Sequence, residues 1–243
     1  LIEVGFRIRT PSVSEAGLFF LPPLSKEPRF ADARGSEQTS IGAMFMAYSD
    51  FTISLIKQRF GLQIDQSSDL FGDVAEVALP ARLADILHRY LPLALNLNTE
   101  KARSELLIAP MLIEFKLLHR ECVSLFSGIE FNVDAEVGLK GRCDYILSRN
   151  AEQLELTSPI CVLVEAKNEN IVAGIPQCLA EMVAAQRFNA QNDQPESPVY
   201  GIVSTGLLWR FLQLRATTAR VDAVEYPIQN AAKIFGILTR IAL

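Results

Sequence analysis

Three residues in the second half of the chain carry the side chains for metal-assisted hydrolysis: Asp144, Glu165 and Lys167. Residues 142–148 read R-C-D-Y-I-L-S and residues 161–167 read C-V-L-V-E-A-K. Each run is short and rich in apolar, aromatic or β-branched residues. Asn150, Ser158 and Pro159 lie between them, so the pair predicts a hairpin with a long loop. Side chains alternate along a strand, which puts Cys161, Leu163, Glu165 and Lys167 on one face, with Glu165 and Lys167 about 6–7 Å apart. In a symmetric hairpin Asp144 falls opposite Glu165, with β-carbons roughly 5 Å apart. Two carboxylates at that spacing repel unless a cation stands between them. Magnesium or manganese, which take one or two carboxylates together with waters and phosphate oxygens, suit the position. Lys167 adds a positive charge beside such an ion, and the set has the chemistry for hydrolysing a phosphodiester.

The motifs G-R-C-D-Y-I-L and L-V-E-A-K resemble those of the PD-(D/E)XK nuclease superfamily. The resemblance covers residues 99–243, and residues 201–211, G-I-V-S-T-G-L-L-W-R-F, are similar to a segment of the N-terminal nuclease domain of type I restriction motor subunits. Cys143 stands where the superfamily's name has proline. The resemblance implies a restriction-endonuclease-like core: a helix, a three-stranded meander, a crossover helix and a fourth strand. It also implies that Asp144 and Glu165 hold Mg2+ or Mn2+, that Lys167 positions or deprotonates the attacking water, and that a glutamate on the first helix joins the metal site. S-E-L-L-I-A-P matches that last segment at Glu105. A glutamine on the crossover helix completes the site in many members, which points to Gln177.

Stepping along the chain, the positioning elements are legible as patterns. Thr99 is a good N-cap for a helix, kinked at Pro110, whose apolar residues run nearly all round and predict burial. Glu105 shares a stripe with Ile108, Leu112 and Phe115, whereas Glu114 shares one with Leu107, Met111 and Leu118. Periodicity does not choose between them, and Glu105 also stands one turn after Lys101, an ordinary ion-pair spacing. Residues 129–137 alternate as the meander's first strand, and the turn at 138–141 brings Ala135 opposite Asp144. Pro176 opens a helix to about Asn189, with Gln177 in its first turn near the positive end of the dipole; a plain surface or cap role for Gln177 is the alternative. Glu181, one turn on, and Gln186 are further candidates. Residues 199–204 predict a strand parallel to the Glu165 strand through a crossover. Residues 207–214 return from it with Trp209 and Phe211 in the core, residues 219–228 add a strand, and residues 229–242 close the chain as a helix.

Residues 1–98 predict a mainly helical extension, with a strand at 2–8, loops at Pro22-Pro23, Pro28 and Gly35, a helix at 39–60 stopped by Gly61, polar turns at 62–79 and a helix at 80–93. Over 243 residues, 49% hydrophobic and 21% charged, the composition is globular. The first residue is Leu, so a few residues are expected to precede it. No stretch is long enough to span a bilayer and no signal peptide is visible. The four cysteines lack C-x-x-C spacing, and Cys143, Cys161 and Cys178 are expected as buried thiols of a cytoplasmic protein. His88 and His119 are expected on helix surfaces.

The net charge of −5 is unlike a dedicated nucleic-acid binder, so a local patch of Lys140, Arg142 and Arg187 is expected to meet DNA. The function expected is a magnesium-dependent DNA endonuclease-like hydrolase. Its expected partners are DNA, other subunits of a defence or repair complex, and a second copy of the chain. The rival expectations are a non-catalytic nucleic-acid-binding or assembly module of the same fold, and a hydrolase of a small phosphorylated substrate.

Overall fold

Strands with apolar residues at nearly every position are buried on both faces, and the run Ile160–Ala166 (β4), apolar but for Glu165, is such a strand: all seven of its residues are buried. A computed structural model describes residues 46–194 and 198–243. The strand at 2–8, the loops at Pro22-Pro23, Pro28 and Gly35, and the start of the helix at 39–60 lie outside the described residues. The chain is mixed α/β. β1 (Gln63–Asp65), β2 (Ser124–Glu130), β3 (Arg142–Ser148), β4, β5 (Val199–Ser204), β6 (Leu208–Arg215) and β7 (Thr218–Val221) form one sheet in the order β1-β7-β6-β5-β4-β3-β2, and β8 (Tyr226–Pro227) pairs with β6. The pairs β4/β5 and β1/β7 are parallel and the others antiparallel. β1 comes from the segment expected as an extension, and it pairs with β7 in this same sheet.

Helices pack on both faces. α1 (Ile53–Phe60) and α5 (Ile171–Gln191) share one core with Ile146, Leu163, Val203 and Leu212. On the other face α2 (Ala81–Leu97), α3 (Glu100–Arg103), a π-turn (Ser104–Ile108), α4 (Ala109–Leu118) and α6 (Ala231–Ala242) pack on Tyr145, Val162, Val164 and Trp209. The arrangement is consistent with a three-layer α/β fold. α5 connects parallel strands, as its crossover role requires. Trp209 and Phe211 are both fully buried, as expected. Among the described residues no helix is long and apolar enough to cross a membrane.

Several elements differ from their sequence pattern for local reasons. The helix expected across 39–60 is interrupted: Phe51 and Thr52 are extended, and Thr52 caps α1 by accepting from the Leu55 N–H at 3.2 Å. Gly61 ends α1 in the left-handed region, at φ 66°. α2 runs past Pro92 to Leu97. Thr99 caps α3 as expected, through the Ala102 N–H at 3.1 Å. The chain then widens into the π-turn before Pro110, where proline has no N–H for a normal helical bond. Ile113, Leu117 and Leu118 are about half exposed, so α4 is buried on one side only. α5 starts at Ile171 rather than Pro176, because the Asn170 side chain caps the Ala173 N–H at 3.2 Å. The carbonyl that Pro176 cannot serve belongs to Val172, which is exposed.

Two irregularities shape the central hairpin. β3 and β4 pair as Tyr145↔Val164 and Leu147↔Val162 but then as Ser148↔Ile160, so Cys161 is the extra residue of a bulge. It packs in the α4 core with Val162, not on the face of Leu163 as alternation predicts. β2 ends at Glu130, and residues 131–137 do not continue it. The Asn132 side chain accepts from the Gly141 N–H at 2.9 Å, and Ala135–Val137 forms a 3-10 turn closed by Gly138 at φ 83°. At the outer side of β2 the Gln153 side-chain amide accepts from the Leu125 N–H at 3.2 Å and donates to its carbonyl at 2.6 Å.

Asn189 of α5 fastens the start of β4, accepting from the Ile160 N–H and donating to its carbonyl, both at 2.8 Å, while only 1% exposed. Asn189→Ala leaves both backbone groups buried without partners. It is expected to cost about 2–4 kcal/mol in urea unfolding, since each such group costs about 1–3 kcal/mol.

Candidate active site

The β3–β4 ladder, extended one step beyond Tyr145↔Val164, brings Asp144 level with Glu165. Asp144 is half-buried and accepts from the Ala166 N–H at 2.8 Å, which ties it to the end of β4. Its neighbour at the same level on β2 is Gly128, two steps from the Glu130↔Arg142 pair, and not Ala135. A side chain at Gly128 would meet nothing within 4 Å. That open space joins a cavity of about 270 Å³ lined by Ser104, Glu105, Ser127, Asp144, Tyr145 and Ala166, among others.

Glu165 is 2% exposed, and Lys167 is bonded to its Oε1. The Lys167 N–H donates to the Ser204 carbonyl at 2.8 Å, so the lysine is held as a continuation of the parallel β4–β5 pair. Gly174 lets α5 approach it: a Cβ there would stand 2.9 Å from the Lys167 Cγ. Lys167 Nζ donates to Gln177 Oε1 at 3.3 Å, and Gln177 Nε2 donates to Glu181 Oε1 at 3.1 Å. Gln177 therefore sits in the second turn of α5, not at its N-terminus, and it acts through Lys167 and Glu181 rather than through the helix dipole. Gln186, the last of the crossover-helix candidates, makes no hydrogen bond to this group.

Glu181 is fully buried and central to the cluster. Burial first, then the neighbouring charge of Glu165, holds its carboxyl well above the usual range. Burial and then the charge of Asp144 push Glu165 up to about 7, against the opposing pull of Lys167. One oxygen of each, Glu165 Oε2 and Glu181 Oε2, is buried without a donor. The signal in the sequence was a glutamate one turn after Gln177 in an otherwise apolar stretch.

Arg103, unlike Glu181, is not among the residues the sequence pattern singles out. It is 8% exposed and its guanidinium donates to the Asn168 carbonyl and to Asn98 Oδ1, joining α3 to the segment just after Lys167. Among the described residues it forms no ion pair, and its Nε has no partner. Its place one turn before Leu107, on the buried stripe, was the available clue.

The remaining candidates are dispersed or already engaged. Glu105 lines the cavity beside Asp144, but its side chain is 59% exposed and bonded to Lys101 at 2.6 Å, the i,i+4 pairing. Among the described residues no three His, Cys, Asp or Glu side chains group to hold a metal. Glu114 turns toward α2, 3.5 Å from Arg82. Arg142 is exposed and paired with Glu130 at 3.2 Å. Arg187 is paired with Asp134 and lies over the Phe60 ring at 5.4 Å. It stands about 15 Å along α5 from Gln177 at 1.5 Å per residue. The Lys140 carbonyl accepts from the Tyr48 N–H at 3.0 Å. Cys143, Cys161 and Cys178 are buried thiols and Cys122 is exposed. His88 is exposed, while His119 is half-buried, stacked on Phe115 at 4.7 Å, and lowered in pKa by burial.

Two carboxylates, one with a buried oxygen lacking any donor, are a fitting donor set for a hard divalent ion that completes its shell with water and phosphate oxygens. No protein-family model matches the chain, and no curated protein matches it.

Proposed function

We propose that the chain is a divalent-metal-dependent phosphodiester hydrolase, an endonuclease-like enzyme acting on DNA, with the restriction-endonuclease-like core of the PD-(D/E)XK superfamily that its motifs resemble. The observation that carries this reading is the convergence of Asp144, Glu165 and Lys167, with the unsatisfied Oε2 of Glu165 buried among them. Asp144 and Glu165 would hold Mg2+ or Mn2+. A bound ion of this kind supplies Lewis acidity, lowering the pKa of a water and polarising a phosphate oxygen. Lys167, oriented by Gln177 and kept protonated beside Glu165, would order the attacking water and stabilise developing negative charge. No covalent intermediate is needed. DNA, further subunits of a defence or repair complex, and a second copy of the chain are the partners this reading implies, in a cytoplasmic setting.

The test is conversion of supercoiled plasmid with magnesium or manganese at low salt. Nicking or cutting that needs the metal supports the reading. Its complete lack with both metals, alone and with candidate subunits, favours a non-catalytic nucleic-acid-binding or assembly module. The engagement of Glu105 by Lys101, Arg142 by Glu130 and Arg187 by Asp134 is what gives that second reading weight.

A pH series adds an independent readout. A metal replaces the proton on Glu165, so manganese affinity measured by calorimetry is expected to rise up to about tenfold per pH unit below neutrality. It should level off above about pH 7, where Glu165 is already ionised. The linked effect on the metal-free protein has the opposite sign. The folded-state pKa lies above the unfolded one, so the stability contributed by neutral Glu165 is present at low pH and lost as pH rises through about 7. A flat affinity profile would place the ion elsewhere.

A further inference from the structure

On β6 and β7 the ladder pairs Gln213 with Arg220 and Arg215 with Thr218. Leu212, Leu214, Ala219 and Val221 are buried in the α5 core, so by alternation Gln213, Arg215, Thr218 and Arg220 all project from the opposite face. Arg215, Thr218 and Arg220 are exposed there, around a cavity of about 350 Å³ that Gln213 and Ala216 also line. Arg215 and Arg220 are diagonal cross-strand neighbours, with backbones about 7–8 Å apart, a spacing at which like charges disfavour the sheet.

One nearby carboxylate offsets them only in part: Asp65 is held below the usual carboxylate range first by its Ser67 hydrogen bonds and last by the charge of Arg220. Neither arginine forms an ion pair among the described residues. Asp65 lies beside Arg220 on β1, but its oxygens are taken by the Ser67 N–H at 2.9 Å, the Ser67 hydroxyl at 2.6 Å and the Ser68 hydroxyl at 3.3 Å. Gln213 is turned toward Tyr200, its Nε2 donating to the phenol oxygen at 3.2 Å. The cavity is thus left with two guanidinium groups and the Thr218 hydroxyl. A tetrahedral oxyanion accepts from both forks and a hydroxyl at once, and guanidinium is the group best matched to phosphate.

We infer that this face of β6 and β7 is a binding site for a phosphate group, held by Arg215 and Arg220 with Thr218 as a neutral donor. The phosphate comes either free in solution or from a polynucleotide backbone. The site is independent of the carboxylate cluster. The β5–β6 ladder runs from Ser204↔Trp209 beside Lys167 to Val199↔Leu214 beside this cavity, which separates the two by about 17 Å along the strands.

The experiment is a two-dimensional amide NMR titration at low ionic strength, with inorganic phosphate in one arm and a duplex oligonucleotide lacking terminal phosphates in the other. Saturable shifts at Arg215, Thr217, Thr218 and Arg220 with inorganic phosphate identify a free-phosphate site; the same shifts with the duplex alone identify a backbone contact. Arg215→Gln and Arg220→Gln should each weaken binding about tenfold, the scale of one charge-assisted hydrogen bond. Asp144→Ala should leave it unchanged. Both arginines are exposed, and the dispersion of the remaining amides reports directly whether each variant is folded. Shifts that never saturate in either arm, or that persist undiminished in both single variants, overturn the inference.

Discussion

Plasmid cleavage by Glu165→Ala is expected to fall about a thousandfold or more, with manganese binding lost in the same variant; the expected size is that of removing a principal electrostatic contact at a reacting centre. Glu165 supplies the buried oxygen that lacks a donor, and no other described carboxylate occupies its position next to both Asp144 and Lys167. Asp144→Ala is expected to show the smaller loss of affinity, because one Asp144 oxygen is already committed to the Ala166 N–H. Removing Glu165 also relieves a buried, partly ionised group, so the variant should melt no lower than the parent at pH 8. A folded Glu165→Ala variant that binds manganese like the parent would place the ion outside this cluster.

Lys167→Ala separates binding from chemistry. The ammonium group carries no lone pair for a metal while protonated, and its contact with Glu165 keeps it so: the neighbouring carboxylate offsets the burial that would otherwise lower its pKa, leaving the net shift upward. Cleavage is expected to drop about a hundredfold or more, the range for loss of a positioned acid–base or charge-stabilising group. Manganese affinity should change by less than about tenfold, one pKa unit's worth of altered competition at Glu165. Single-turnover cleavage and calorimetry on the same preparation give both numbers. A loss of affinity as large as that of Glu165→Ala would make the lysine part of the metal-holding framework instead.

The central hairpin, the crossover helix and the burial of Trp209 were legible because they rest on strong local signals. β4 is apolar apart from Glu165, α5 follows it with a helical pattern, and the aromatic pair alternates on one strand. Asp144 and Glu165 could be brought level from sequence because the hairpin's register is regular at that end. The irregularities were not legible. Alternation continues through residues 129–137, whereas the regular ladder ends after Glu130: Asn132 presents its side chain to the Gly141 N–H, and an isolated bridge joins Asp134 to Leu139 beyond it. Cys161 has the right period for the Leu163 face and the wrong ladder position, because the extra residue is defined only by its partner strand. Pro176 looks like a helix start, but Asn170 offers a cap six residues earlier. Arg103 is invisible to a pattern search that treats charge as a surface property, and Glu181, a candidate by its spacing from Gln177, gives no sign there of its burial against Glu165. The counter-ions Glu130 and Asp134, which pair with Arg142 and Arg187 of the expected basic patch, were not legible either.

The Gln153 amide that fills one rung of β2 has a bearing on crowding. An outermost strand is a template on which a foreign strand can dock, and a wide sheet magnifies the hazard because its twist and hydrogen-bonding direction are already set. Here an arriving strand finds the Leu125 rung taken from within, and three residues later meets Gly128 at φ 63°, where the backbone departs from the extended course. Neither device needs a charge or a covering helix. Together they cap lateral growth of the sheet on the side nearest the acidic cavity, so that opening beside Asp144 stays accessible to solutes without exposing an adhesive border to neighbouring chains.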